Sequence, residues 1–168
     1  MRRAVLIWLS LLAAGCSGSS SSPTAASPTY PNILGGWLGT YTSNLNAPNV
    51  PQLTTSGGCT VSFTITTQNT STFSGTWQNS GGFGAVSNCA SSGTVSGSVS
   101  STGSLQSLTF GTTVGVGIPA GCSLTNNTGY SGIVTTSSFN ASATERYACP
   151  ALGVSVLDVG RVLSLSKR

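Results

Sequence analysis

The feature that most constrains this chain is an alternation of apolar side chains with serine and threonine at a period of two residues. It is clearest at 59–66, CTVSFTIT, and it recurs at 73–77, FSGTW, and at 95–99, VSGSV. Successive side chains of a β-strand point to opposite faces of the sheet. The alternation therefore predicts half-buried strands, each with one apolar face and one face of hydroxyl groups.

Eight such strands fit the chain, and the connections between them alternate between short and long. In an up-and-down antiparallel sheet, successive connections lie at opposite ends, so one end is tight and the other has four long loops. We predict an all-β fold, an eight-stranded antiparallel up-and-down β-barrel, because closure removes exposed strand edges. A second interpretation divides the sixth strand near 126–129 and gives nine strands. The predicted strands are 36–43, 59–67, 72–79, 92–100, 104–112, 121–134, 138–147 and 156–167, and the long loops are 44–58, 80–91, 113–120 and 148–155.

Four cysteines fall at the long-loop end of this barrel. Cys59, Cys89 and Cys122 stand at or just before the starts of the second, fourth and sixth strands, and Cys149 follows the seventh. In an exported chain they predict two disulfides. Neighbouring loops can join as Cys59–Cys89 with Cys122–Cys149 or as Cys59–Cys149 with Cys89–Cys122, whereas Cys59–Cys122 with Cys89–Cys149 would cross the mouth. No CxxC spacing occurs, so no metal site is expected.

The N-terminal residues are typical of an exported lipoprotein. Two arginines precede an apolar stretch at 4–14 that is too short to span a bilayer. Residues 13–16, AAGC, resemble a lipobox, which implies cleavage before Cys16 and a lipid anchor on that cysteine. By resemblance to Gram-negative lipoproteins, Ser17 implies the outer membrane, at its periplasmic or surface face.

The chain divides into three segments on this basis. Residues 1–15 are a predicted lipoprotein signal peptide. Residues 16–34 are the lipidated cysteine and a disordered tether rich in serine and proline, with no apolar period. Residues 35–168 have the length of one domain and form the predicted barrel.

Charge composition argues against catalysis. Charged residues make up 5% of the chain and histidine is absent, which excludes nucleophiles activated by histidine. Beyond the leader the acidic residues are Glu145 and Asp158, and their opposite strand parity predicts that they do not face each other. We therefore expect no enzymatic activity and no cofactor. No basic run with interleaved aromatic residues is present, so nucleic acid is not an expected partner.

Glu145 is nevertheless a candidate functional residue. It has the inward parity of its strand, and Arg161 has the inward parity of the last strand. We predict that Glu145 and Arg161 pair inside the barrel near its mouth. Two interpretations remain open: a structural ion pair that tolerates partial burial, and a polar anchor for the head group of a ligand.

Seven aromatic side chains also have inward parity. Eight-stranded barrels are often just wide enough for side chains to fill them, so one interpretation is a filled core and the other is a ligand cavity. Inward glycines would make room for the rings or bend the strands. The inward aromatic residues are Tyr41, Phe63, Phe73, Trp77, Phe110, Tyr130 and Phe139, and the candidate ligand-lining residues are Tyr41, Phe63, Trp77, Phe110, Tyr130, Glu145 and Arg161.

Residues 35–37, GGW, open the first strand and resemble the Gly-x-Trp of lipocalins and their calycin relatives. The resemblance implies that the tryptophan closes the tight end of the barrel together with a cation from the last strand. The resemblance assigns this role to Trp37 and implies that Lys167 is its partner, by cation–π contact. The chain departs from lipocalins in lacking the helix before the last part of the domain, so a typical lipocalin pocket is not implied.

Three functional hypotheses follow. The first is that the barrel carries a small apolar ligand without enzymatic chemistry. The second is a protein-interaction or inhibitor module that acts through the open-end loops on an envelope protein. The third is an envelope structural protein with no discrete ligand. A cavity of a few hundred Å³ would favour the first, and a packed interior with an apolar loop patch would favour the second.

Overall fold

The computed structural model describes residues 27–48, 50, 54–86, 89–111 and 118–168. The predicted signal peptide and Cys16 lie outside the described residues. Within them the chain forms nine strands and one short 3-10 turn, Pro150–Leu152. The strands are β1 Gly35–Asn46, β2 Thr55–Asn69, β3 Thr72–Gly84, β4 Ser91–Val99, β5 Ser104–Phe110, β6 Ser123–Asn127, β7 Ser131–Val134, β8 Ser138–Cys149 and β9 Val154–Lys167.

These strands form one antiparallel sheet that closes on itself. From β1 to β5 each strand pairs with the next, β5 pairs with β7, and β7, β8, β9 and β1 then pair in turn. β6 and β7 both pair with β8, at different ends of it, so they share one position in the wall. The all-β prediction and the closed eight-stranded antiparallel barrel are confirmed. Among the described residues, no helix is long and apolar enough to cross a membrane.

The sixth predicted strand, 121–134, is wrong as a single element, and the nine-strand alternative is confirmed. The chain leaves β6 at Asn127 and turns through Gly129, whose φ of 71° lies in the left-handed region that favours glycine. The Gly129 N–H donates to the Asn127 side-chain oxygen at 2.8 Å, an Asx-type turn that fixes the break. Sequence alone marked the site of the interruption, at 126–129, but did not decide whether it was a bulge or an end.

Two of the predicted long loops, 44–58 and 80–91, are partly strand, at 44–46, 55–58, 80–84 and 91. β2 and β3 extend well past the predicted limits, and Cys59 lies four residues inside β2 rather than at its start. Glycines in both ranges belong to the ladder: Gly57 pairs with Gly84. A Cβ at Gly57 would lie 2.7 Å from backbone nitrogens of the neighbouring segment, so the close approach of the two chains requires glycine.

The tight end is closed as the sequence predicted. Trp37 is fully buried, and the Lys167 ammonium lies 5.6 Å from its ring centroid. The Trp37 indole N–H donates to the carbonyl of Ile33 at 2.9 Å. Ile33 is itself buried, and its N–H donates to the side chain of Gln68 at 2.9 Å. The end of the predicted tether is therefore ordered. It packs into the tight end of the barrel, so the domain begins before the predicted boundary at residue 35.

Aromatic rings fill the barrel axis from the tight end upward, as the filled-core interpretation predicts. Phe139 contacts Trp37, Phe63 and Phe73 edge to face, with centroids 5.8–6.1 Å apart. Such pairs contribute about 0.5–1.5 kcal/mol each beyond their burial. The inward glycine at 97 makes room for a ring, because a Cβ there would lie 2.6 Å from the Phe73 ring.

The loop end has a second, smaller apolar cluster. It is separated from the aromatic core by a polar layer that contains Ser43 and Arg161. Two disulfides bridge this end, Cys59–Cys89 and Cys122–Cys149, so of the three pairings that the sequence left open this one is found. The cluster consists of Leu45, Ala47, Tyr147, Cys149, Val154, Leu157 and Val159.

Candidate functional site

The barrel wall opens on one side between β5 and β6. β5 pairs with β7 only at Ser104–Ile133 and Leu105–Gly132, near the tight end. Toward the loop end, no pairing joins β5 to β6 among the described residues, while β6 remains paired with β8. We call the resulting opening of about 430 Å³ the side cleft. It is lined by Tyr41, Leu108, Thr109, Phe110, Leu124, Asn127, Gly129, Tyr130, Glu145 and Tyr147.

The turn between β6 and β7 explains why the wall opens here. The Thr128 N–H donates to the carbonyl of Thr144 on β8, and the Thr144 N–H donates to the Thr128 hydroxyl, both at 3.0 Å. These bonds hold the turn against β8 and not against β5. Tyr130 then projects into the barrel, where its ring lies 5.6 Å from Phe110. Its hydroxyl lies 3.0 Å from that of Tyr41.

The predicted pair of Glu145 and Arg161 lies at the inner wall of the cleft and is confirmed. The Arg161 Nε–H donates to Glu145 Oε2 at 2.8 Å, and the Tyr147 hydroxyl donates to the same oxygen at 2.8 Å. Arg161 also donates through Nη1 to the hydroxyl of Ser43 and lies over the ring of Tyr41, 5.7 Å from its centroid. Arg161 is fully buried, whereas the Glu145 side chain keeps 13% of its surface exposed. The carboxylate is therefore the charged group that a molecule in the cleft would meet.

The tyrosine hydroxyls of the cleft are held protonated. Burial raises the pKa of Tyr41 and of Tyr130 above the ordinary tyrosine value. Burial, followed by the hydrogen bond to Glu145, raises the pKa of Tyr147 to about 12. At neutral pH all three hydroxyls remain neutral and can donate hydrogen bonds, and none has a pKa suited to a general base.

The seven predicted ligand-lining residues divide into two groups. Tyr41, Phe110, Tyr130 and Glu145 line the side cleft. The other three lie one layer behind: Phe63 and Trp77 pack against the Phe110 ring, with centroids 5.9 and 5.6 Å away, and Arg161 lies behind Glu145.

Sequence reasoning missed the residues that form the two edges of the opening. Tyr147 has the same strand parity as Glu145, and that signal was available. Leu108, Leu124 and Asn127 had no comparable signal, because their importance depends on β5 and β6 being unpaired.

The second carboxylate lies on the other face of the wall, as its parity predicts. Asp158 accepts from Arg146 Nε at 2.7 Å, and both side chains are partly exposed. Glu145 and Asp158 are thus separated by the strands that bear them. In the part of the chain that the structure describes, no three His, Cys, Asp or Glu side chains form a group that could hold a metal ion.

Comparison with models of protein families, with curated proteins and with solved structures finds no match to this chain.

Proposed function

We propose that this domain is a non-enzymatic binding module that holds a small amphipathic molecule in the side cleft. The observation that supports the proposal is the gap in the ladder between β5 and β6, which exposes Phe110, Tyr130 and the Glu145 carboxylate. The axis of the barrel is filled by aromatic rings, so a ligand would enter from the side and not along the axis. A volume of about 430 Å³ is in the range of small-molecule sites.

The experiment compares two aliphatic residues that are about equally exposed, one at the cleft and one outside it. Leu124 is 52% exposed at the edge of the cleft, and Ile133 is 53% exposed on the outer face of β7. The full chain is expressed with its own N-terminal segment, purified without reductant and examined by native mass spectrometry. We expect a mass excess that is lost on denaturation in the wild type and in Ile133→Trp, and its absence in Leu124→Trp. Equal occupancy in both variants, or none in the wild type, would refute the cleft as a ligand site.

We further propose that Cys16 anchors the domain to a bacterial membrane, with the loop end facing away from that membrane. Residues 13–16 support the anchor, and the position of Ile33 at the tight end supports the orientation, because the chain enters the barrel opposite the loop end. Cys16→Ala is expected to abolish acylation and to move the protein from the detergent phase to the aqueous phase. Retention of an acylated mass in that variant would contradict the assignment.

A protein partner at the loop end is the second candidate function. Leu152 and Val156 are exposed there, next to the Cys122–Cys149 disulfide, and exposed apolar residues of this kind favour interaction surfaces. In vivo cross-linking through a photoreactive residue at 152, with one at 133 as the control position, tests this candidate. Adducts of equal yield at both positions would argue against a specific partner.

A further inference from the structure

We infer that the side cleft selects an uncharged, hydroxyl-bearing ligand with an apolar face, of the chemical class of a mono- or disaccharide. This inference rests on the proposed function and narrows it from small amphipathic molecules to one class. It depends on the charge balance of the cleft, on the hydrogen-bonding atoms that remain in it, and on the ring that forms its wall.

Charge balance favours a neutral ligand. Glu145 is already compensated by Arg161, 2.8 Å away. A cationic ligand would compete with Arg161 for the carboxylate. An anionic ligand would meet Glu145, which is 13% exposed, before it met the fully buried guanidinium. The other charges of the described residues lie on the outer face, Arg146 and Asp158, or at the tight end, Lys167 and Arg168.

The remaining hydrogen-bonding atoms match a hydroxyl group. Within the described residues both bonds to Glu145 reach Oε2, so Oε1 remains an acceptor on a residue that lines the cleft. Tyr41 and Tyr130 share one hydrogen bond between their hydroxyls. When Tyr41, which is 1% exposed, donates to Tyr130, the proton of the Tyr130 hydroxyl can be donated to a ligand. Ligand hydroxyls, which both donate and accept, match both groups, and a bond to the carboxylate is of the stronger, charge-assisted kind.

The wall of the cleft supplies an apolar surface of defined orientation. Phe110 is half-buried, and edge contacts with Tyr41, Phe63, Trp77 and Tyr130 fix its ring. A pyranose ring has an apolar C–H face that can cover such an aromatic ring while its hydroxyls reach the polar wall. A purely apolar ligand would bury Glu145 Oε1 without a partner, which is unfavourable.

Saturation-transfer NMR on the full chain tests the ligand class. The probes are the methyl glycosides of glucose, galactose and N-acetylglucosamine, with choline as the cationic probe and 1-hexanol as the apolar probe. We expect transfer from the protein to the ring protons of at least one glycoside. Glu145→Gln should weaken that binding roughly tenfold or more, since a hydrogen bond to a charged group is lost. Asp158→Asn makes the same chemical change on the outer face and should leave binding unchanged.

A second variant distinguishes a loss of binding from a loss of fold in Glu145→Gln. Tyr130→Phe removes one hydroxyl, keeps the ring and the ion pair, and should also weaken glycoside binding with an unchanged circular dichroism spectrum. Binding of choline or hexanol, lost in Leu124→Trp, with no glycoside bound, would overturn the ligand class and leave the cleft proposal intact. If no probe binds and native mass spectrometry shows no mass excess, both proposals fail.

Discussion

The two halves of this barrel share most of their strands but are held together by different means. In the tight half the ladder is complete, and the interior contains rings and aliphatic side chains packed around Trp37 and Phe139. The loop half contains a buried arginine, two disulfides and an unpaired stretch of wall. Disulfides and an ion pair reinforce this half: Cys122–Cys149 joins the segment before β6 to the end of β8, and Arg161 on β9 binds Glu145 on β8. The comparison indicates that the tight half supplies the packing stability that allows the loop half to keep an opening.

Of the changes considered, truncating the aromatic core should lower the free energy of unfolding the most. Phe139→Ala removes a fully buried ring that contacts three others, and we expect it to lower the free energy of unfolding by about 3–5 kcal/mol. Chemical denaturation followed by tryptophan fluorescence measures it. Phe83→Ala, at an exposed position of β3, is the control and should cost much less. Similar losses in the two variants would mean that the tight half is not the stable half.

Removing one disulfide should affect the loop half selectively. The Cys122–Cys149 bond closes a separation of 27 residues, and its replacement by two alanines should cost about 2–4 kcal/mol. Hydrogen exchange should rise in β6 and in the end of β8, with little change in the tight-end parts of β1 and β2. Uniformly faster exchange throughout the barrel would show that the two halves unfold as one unit.

Alkaline pH should also act on the loop half first. The pKa of Tyr147 is raised from 10.0 to about 12 in the folded state, so the folded protein retains a proton that the unfolded chain has lost. That contribution to stability is complete below the unfolded pKa and is lost as pH rises from about 10 to about 12. The melting temperature of Tyr147→Phe should therefore fall less steeply across this window than that of the wild type. Parallel curves for the two proteins would exclude the linkage.

The smallest effect is expected at the rim of the tight end. Lys167→Met keeps the aliphatic stem and removes the ammonium that lies 5.6 Å from the Trp37 centroid. The loss should be about 0.5–1 kcal/mol, measured by the same denaturation assay. A variant as stable as the wild type would indicate that the stem and not the charge closes this end.

Features that depend on strand parity could be predicted from the sequence. The period-two alternation predicted which side chains face inward, and parity paired Glu145 with Arg161. The pair of Trp37 and Lys167 came from the resemblance to lipocalins together with parity. A disulfide pairing could not be chosen in this way, because all four cysteines lie at one end and parity does not rank the distances between them.

The side cleft could not be predicted, for a physical reason. Parity states which face of a strand is buried, but it does not state which neighbouring edge a strand will pair with. The choice at 128–129 depends on hydrogen bonds to Thr144, sixteen residues further along, and on a glycine conformation that a sequence pattern permits but does not require. The runs at 57–58 and 81–84 show the same difficulty in reverse, since they were predicted to lie in loops and lie within strands.

The segment that plugs the tight end has a mechanical consequence. A pull on the chain from its N-terminal side would load the bonds of Gln68 to the backbone of Ile33 and Pro31 first, and then the indole bond of Trp37. These bonds lie at the opposite end of the barrel from Glu145 and Tyr147. Tension applied through the N-terminal segment would thus break bonds at the tight end first, and the side cleft would keep its shape under load.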